Sequence, residues 1–131
     1  MLAAALINPI LIAIASVAGI GLTRAAGLAP HSHELVLAAI AALLASEAAL
    51  IPHFLKIDNS PANLFQSAFL GTIIHLGLFL AQGASIYFMM KPGNAFIWWL
   101  MPMYWVTLIG LCLVFIRTMR SPLPSTKTAT N

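Results

Sequence analysis

The chain has 131 residues, of which 61% are hydrophobic and only 7% charged, and its formal net charge is +3. Soluble domains carry about 25% charged residues, so this composition excludes a water-soluble globular domain, whereas lipid can cover apolar side chains. The basic residues are too few for a nucleic-acid-binding surface, and no nucleic-acid partner is expected. The first predicted partner is the lipid bilayer.

Four apolar segments are long enough, or nearly so, to cross the hydrocarbon core, which takes about 20 residues of helix. In chain order they are residues 2–22, 35–55, 62–90 and 95–116. We therefore predict an all-α integral membrane fold, with four transmembrane helices in an antiparallel bundle. Residues 1–120 form this single transmembrane domain. Residues 121–131, rich in Ser, Thr and Pro, are predicted to be a disordered tail.

The first segment has no basic residue before it, although a secretory signal would carry one there. We expect a retained first helix; cleavage near Ala25-Ala26-Gly27 is the alternative. Between the second and third segments, Ser60 suits the N-cap position and Pro61 the first helical position. A second tight turn covers residues 91–94. Short turns join antiparallel neighbours, so helices two, three and four should pack sequentially.

Basic residues predict the orientation of the bundle. In a four-helix arrangement both termini lie on one side, which holds Lys56, Arg117, Arg120 and Lys127, whereas the other side holds Arg24 and Lys91. Short loops rich in Lys and Arg favour the cytoplasm, so both termini are predicted to be cytoplasmic. Six aromatic side chains indicate a belt at the opposite interface: Tyr87, Phe88, Trp98, Trp99, Tyr104 and Trp105.

Glu47 is the most informative position of the second helix. It lies eight residues before the predicted helix end at Leu55, which Lys56 follows, and therefore roughly 12 Å inside that end. A carboxylate at that depth costs several kcal/mol unless it is paired, hydrated or protonated. One interpretation is an ion or proton site, or a contact with a polar group of a partner. The other is a neutral, hydrogen-bonded acid that locks two helices together.

The third helix carries a stripe of small and polar residues. Ser67, Gly71, His75 and Gln82 follow one another at offsets of four, four and seven, which places them close to one helix face. Membrane helices use such stripes for close interfaces, within the chain or with another subunit. Glu47 is offset from His75 by about one turn, so a contact between these two side chains is compatible with the sequence.

Two histidine groups raise the question of metals. The imidazoles of His31 and His33, two positions apart, could hold a divalent metal such as zinc or copper with a third ligand, for which Glu34 is the candidate; the alternative is a solvated loop. His53 and His75 differ in depth by about six residues, or roughly 9 Å, which disfavours a shared haem. No phosphate loop, nucleophile elbow or zinc-protease motif occurs, so we expect no enzyme and no cofactor beyond that metal alternative.

Residues 60–120 resemble the small bacterial ATP synthase subunit I family. The resemblance lies in the run SPANLFQSAFLGTIIHL, residues 60–76, and in a final helix that ends with Arg117 and Arg120. In that family, a small residue of the third helix is often followed four positions later by a basic residue. Gly71 and His75 take those positions here, with His75 in place of the usual Lys or Arg.

The resemblance implies an accessory or assembly protein of the bacterial inner membrane, which helps to assemble or stabilise the ATP synthase rotor ring, with a proposed role in magnesium supply. Glu47, His75, Gln82 and Gly71 would then contact the partner or an ion. One alternative is a small structural subunit of a respiratory or photosynthetic complex. A second is an oligomeric ion-conducting or transport protein that uses Glu47.

Overall fold

The structure, a computed structural model, describes residues 2–55 and 60–120. The described residues form five helices: α1 (Leu2–Ala25), α2 (Ser32–Ala49), α3 (Ile51–Leu55), α4 (Pro61–Met90) and α5 (Ala95–Arg120). The described residues include no strand, which confirms the predicted all-α class. α2 and α3 together form one apolar span, so four helical spans are long and apolar enough to cross a membrane. Lys56, Lys127 and the predicted tail lie outside the described residues.

The helices extend beyond the apolar segments. α1 continues to Ala25 and α5 to Arg120, and α2 begins at Ser32, three residues before the predicted start. Hydropathy marks the part of a helix that lipid covers, whereas the backbone hydrogen bonds continue through polar residues at the ends. His33 and Glu34 therefore lie in the first turn of α2 and not in a loop.

Helix α2 is separated from α3 at Leu50, where the sequence predicted one continuous helix over residues 35–55. Leu50 N donates to the Glu47 carbonyl at 3.1 Å, in the tighter pattern of a helix end. Pro52 explains the break, because proline has no N–H to donate and its ring clashes with the carbonyl four residues earlier, that of Ala48. The chain then resumes as α3, where His53 N donates to the Leu50 carbonyl at 3.0 Å.

Helices α2 and α5 form the centre of the bundle. Each contacts α1, α4 and the other, whereas α1 and α4 do not touch within the described residues. The buried face of α2 consists mostly of alanine, with Leu35, Ala38, Ala41, Ala42, Ala45, Ser46 and Ala49. Small side chains allow membrane helices to approach closely, since dispersion contacts between backbones replace the hydrophobic effect as the driving force.

Both ends of α4 follow the sequence prediction. Ser60 is the N-cap residue, its side chain accepts a hydrogen bond from Asn63 N at 3.4 Å, and Pro61 occupies the first turn. At the other end Lys91 adopts the left-handed conformation, with φ of 47°. The turn that follows leads directly into α5.

The aromatic residues divide into two groups. Trp98 and Trp105 are 79% and 60% exposed, and Phe88 also points outward, as expected of an interfacial belt. Trp99 instead donates from its indole nitrogen to the Pro30 carbonyl at 3.2 Å and packs its ring on Gly19. Tyr104 is also directed inward. Trp99 and Tyr104, which were predicted to belong to the belt, therefore pack inside the bundle. Trp and Tyr side chains can be buried where their polar group finds a hydrogen-bond partner.

Candidate functional site

Glu47 lies on an outward, apolar face of α2. The residues that flank it at helical spacing are Ile40, Leu44 and Ile51, and each is about half exposed. We call these four residues the Glu47 face. Glu47 is eight residues before the end of α3 at Leu55, which corresponds to a depth of roughly 12 Å from that end.

The carboxylate of Glu47 has no partner within the described part of the chain. Glu47 is half-buried, and its Oε1 atom is buried without a hydrogen bond. An intramembrane acid that faces lipid is costly, and such groups usually meet another polar group or water. The structure thus shows an acceptor whose donor is not supplied by the described residues.

His75 has the opposite placement, because it is fully buried between α4 and α5. Its Nε2 atom lies 3.0 Å from the Thr107 hydroxyl. Its ring stacks on that of Tyr104, with centroids 5.4 Å apart and an angle of 14° between the planes. Phe79, one turn further along α4, packs against the same pair of rings.

The Thr107 hydroxyl restricts the possible protonation pattern of His75. It lies 3.0 Å from the carbonyls of Met103 and Tyr104 as well as from the imidazole, and it has a single proton. If that proton goes to a backbone carbonyl, Nε2–H of His75 must donate to the hydroxyl and Nδ1 is an acceptor. Nδ1 is buried without a hydrogen bond among the described residues. The pair therefore joins α4 to α5 and leaves one polar ring atom unmatched.

The predicted stripe on α4 is a buried interface within the chain. Ser67, Gly71 and His75 are buried, and the stripe continues at the same spacing through Phe79 and Gly83. Gly71 is in close contact with α2, because a Cβ atom at this position would lie 2.5 Å from the Ala49 carbonyl oxygen.

Two further contacts were predicted for α4, one by Gln82 and one between His75 and Glu47. Gln82 is half-buried at the edge of the stripe, and its Oε1 atom is buried without a hydrogen bond in the described chain. The structure contains no hydrogen bond between Glu47 and His75, whose Nε2 atom pairs with Thr107 instead. Contact of His75 and Gly71 with another protein stays a prediction, and it would require this interface to open.

Asn8 is a buried polar residue that the sequence analysis did not single out. It is fully buried on α1, packed against Gly110 of α5, and neither its amide nitrogen nor its amide oxygen has a hydrogen bond among the described residues. The signal was present in the sequence, because an asparagine inside an apolar run is costly and rarely without a role. The absence of a side chain at Gly110 makes room for it.

The histidines at the ends of the bundle are separate from this core. His31 and His33 are exposed, and Glu34 lies beside Gly93 of the α4–α5 turn. Within the described ranges, no three His, Cys, Asp or Glu side chains are grouped as metal ligands. A metal bound by His31, His33 and Glu34 stays a prediction.

His53 of α3 and His75 of α4 contact α5 at two positions that are far apart along that helix. The Nε2 atom of His53 lies 3.4 Å from the Thr118 hydroxyl, whereas His75 pairs with Thr107. Those two threonines are separated by roughly 16 Å of helical rise. A single haem iron ligated by both histidines does not fit this arrangement.

Comparisons of the chain with family models, with curated proteins and with solved structures gave no match.

Proposed function

We propose that this protein is an accessory or assembly subunit of a membrane complex, and that Glu47 is its polar contact with the partner. The observation that carries the proposal is the placement of Glu47, which is half-buried, makes no hydrogen bond within the described residues and lies on an otherwise apolar outward face. Interhelical hydrogen bonds are one of the main forces that join membrane helices. A partner helix with a donor at that depth would complete the pairing.

The rotor ring of ATP synthase is the partner we propose, since residues 60–120 resemble the subunit I family. The Glu47 face suits a helical partner, because Ile40, Leu44 and Ile51 provide apolar surface around the carboxylate. His75 is directed into the bundle and pairs with Thr107. In this proposal it has a structural role, and recognition belongs to Glu47.

The test is recovery of the partner complex with tagged chains that carry Glu47→Gln or Glu47→Leu. We expect the Gln chain to fold and to retain the partner, because an amide keeps the size and the acceptor oxygen. The Leu chain should fold at least as well but recover about tenfold less partner, since an interhelical hydrogen bond in membranes contributes about 1–2 kcal/mol.

Glu34→Gln is the matched control, because Glu34 lies in the first turn of α2 and away from the Glu47 face. It should leave recovery unchanged. Undiminished recovery of the partner with Glu47→Leu would overturn the role of Glu47 in recognition. Ion flux in liposomes that disappears in Glu47→Gln would instead favour an oligomeric ion-conducting protein.

A further inference from the structure

A groove of about 770 Å³ lies between the beginning of α1 and the end of α5. Its walls are apolar, with Ile7, Ile10 and Leu11 on α1 and Leu113 and Ile116 on α5. Three of these side chains, Ile10, Leu113 and Ile116, are about half exposed. The volume falls within the range of about 300–1,000 Å³ that is typical of ligand sites.

Two arginines line the same groove, Arg117 and Arg120, and both belong to the last turn of α5. They are three positions apart and therefore neighbours on the helix surface. Among the described residues, none that lines the groove is acidic. A guanidinium presents a planar fork of donors that matches a phosphate group, so this end of the groove is complementary to a phosphate anion.

The apolar and basic parts are arranged in the order of a phospholipid. The arginines lie at the helix end, whereas Leu113 is one turn deeper, about 6 Å from Arg117 by helical rise. In a bilayer, the headgroup phosphate lies at the interface and the acyl chains run inward from it. Basic pockets between membrane helices bind anionic headgroups for this reason.

We propose that this groove binds one anionic glycerophospholipid, with its phosphate at Arg117 and Arg120 and an acyl chain along Ile10, Leu113 and Ile116. This inference is independent of the proposed role of Glu47, which lies on α2 and lines no part of the groove. The bound lipid would contact both helices, on the side of the membrane where α1 begins and α5 ends.

Native mass spectrometry of the full chain, released from detergent, measures this binding directly. The probes are phosphatidylglycerol and phosphatidylcholine with identical acyl chains. We expect one phosphatidylglycerol per chain, bound at least about tenfold more tightly than phosphatidylcholine. Both lipids carry the phosphate, but the choline cation of phosphatidylcholine is repelled by the two arginines, whereas phosphatidylglycerol keeps a net negative charge.

Three variants separate the two halves of the site. Arg117→Gln combined with Arg120→Gln should abolish the preference for phosphatidylglycerol, whereas Arg117→Lys with Arg120→Lys should keep part of it. Ile10→Trp should weaken the binding of both lipids, because it fills the groove at an exposed position without touching the core.

The controls are Arg24→Gln, at the far end of α1, and Ile73→Trp, on α4 with an exposure similar to that of Ile10. Both should bind lipid like the parent chain. Glycerol 3-phosphate, which has the phosphate without acyl chains, should not raise the melting temperature. Equal affinity for the two lipids, a preference that survives the double Gln change, or full stabilisation by glycerol 3-phosphate would overturn the proposal.

Discussion

The hydroxyl of Thr107 is the side-chain group that joins His75 to α5. It lies 3.0 Å from the imidazole Nε2 atom and equally close to two carbonyls of its own helix. Replacing it with the similarly shaped Val would leave His75 buried with neither ring nitrogen hydrogen-bonded. Such a group costs about 1–3 kcal/mol in proteins, although membrane hydrogen bonds average somewhat less.

We therefore expect Thr107→Val to lower the free energy of unfolding by about 1 kcal/mol. The measurement is an unfolding titration in mixed detergent micelles. Thr72→Val is the control, because the Thr72 hydroxyl is exposed and, among the described residues, donates to the Ala68 carbonyl of its own helix and to no other helix. Equal losses for the two variants would mean that the His75–Thr107 pair adds nothing beyond local helix effects.

At the scale of one helix, two of the three glycines of α4 have opposite surroundings. A Cβ at Gly71 would lie 2.5 Å from the Ala49 carbonyl oxygen and 3.1 Å from the Phe115 ring, whereas a Cβ at Gly77 would meet nothing within 4 Å. The first glycine thus determines how closely α4 approaches α2. The second has no such role, although both are glycines in the same hydrophobic helix.

The two substitutions by Ala should therefore have different effects on the stability of the chain. Gly71→Ala should destabilise the chain by about 1–3 kcal/mol, because α4 must move away from a backbone atom. Gly77→Ala should be neutral or stabilising by up to about 1 kcal/mol, since alanine favours the helix. Thermal unfolding in detergent would compare them. A Gly71→Ala chain as stable as the Gly77→Ala chain would contradict the close approach of α4 to α2.

The sequence was sufficient to locate these helices but not all of their contacts. Apolar runs predicted the four spans, and the pairing of Ser60 with Pro61 predicted where α4 begins. Pro52 carried the signal for the break after α2, yet hydropathy alone reads through it because proline is tolerated in membrane segments. Whether Trp99 and Tyr104 face lipid or protein depends on which helices are neighbours, and a single sequence does not contain that information.

For the candidate site, too, the sequence predicted where residues lie along their helices but not which residues they contact. The depth of Glu47 followed from its distance to the helix end, and the stripe of Ser67, Gly71 and His75 followed from periodicity. The pairing of His75 with Thr107 did not, because the two residues are 32 positions apart and many hydroxyls could have served. The position of Asn8 inside an apolar run was visible in the sequence, but its contact with Gly110 depends on the packing of α1 against α5.

For the whole molecule, the distribution of Lys and Arg predicts that both termini are cytoplasmic. Reporter fusions after Asn131 and within residues 91–94 would test this. We expect cytoplasmic reporter activity from the first fusion and activity on the opposite side of the membrane from the second. Removing the positive charge from the second turn, by Lys91→Gln, should leave the orientation unchanged. The change increases the excess of Lys and Arg on the predicted cytoplasmic side over the opposite side. A terminus found outside would refute the predicted topology.

The central position of α5 has a consequence for biosynthesis. Membrane helices are inserted one after another as the chain is made, and they associate once inserted. α5 follows α1 to α4 in the chain, yet it provides Gly110 against Asn8 and Thr107 for His75. Until α5 is inserted, both of those polar side chains lack their native contacts. Within the described residues, α1 and α4 make no contact with each other that could replace them. In a nascent chain that ends before Ala95, the side chains of Asn8 and His75 would therefore lie in the membrane without these contacts. Membrane quality control would then have two exposed polar groups by which to recognise the incomplete chain.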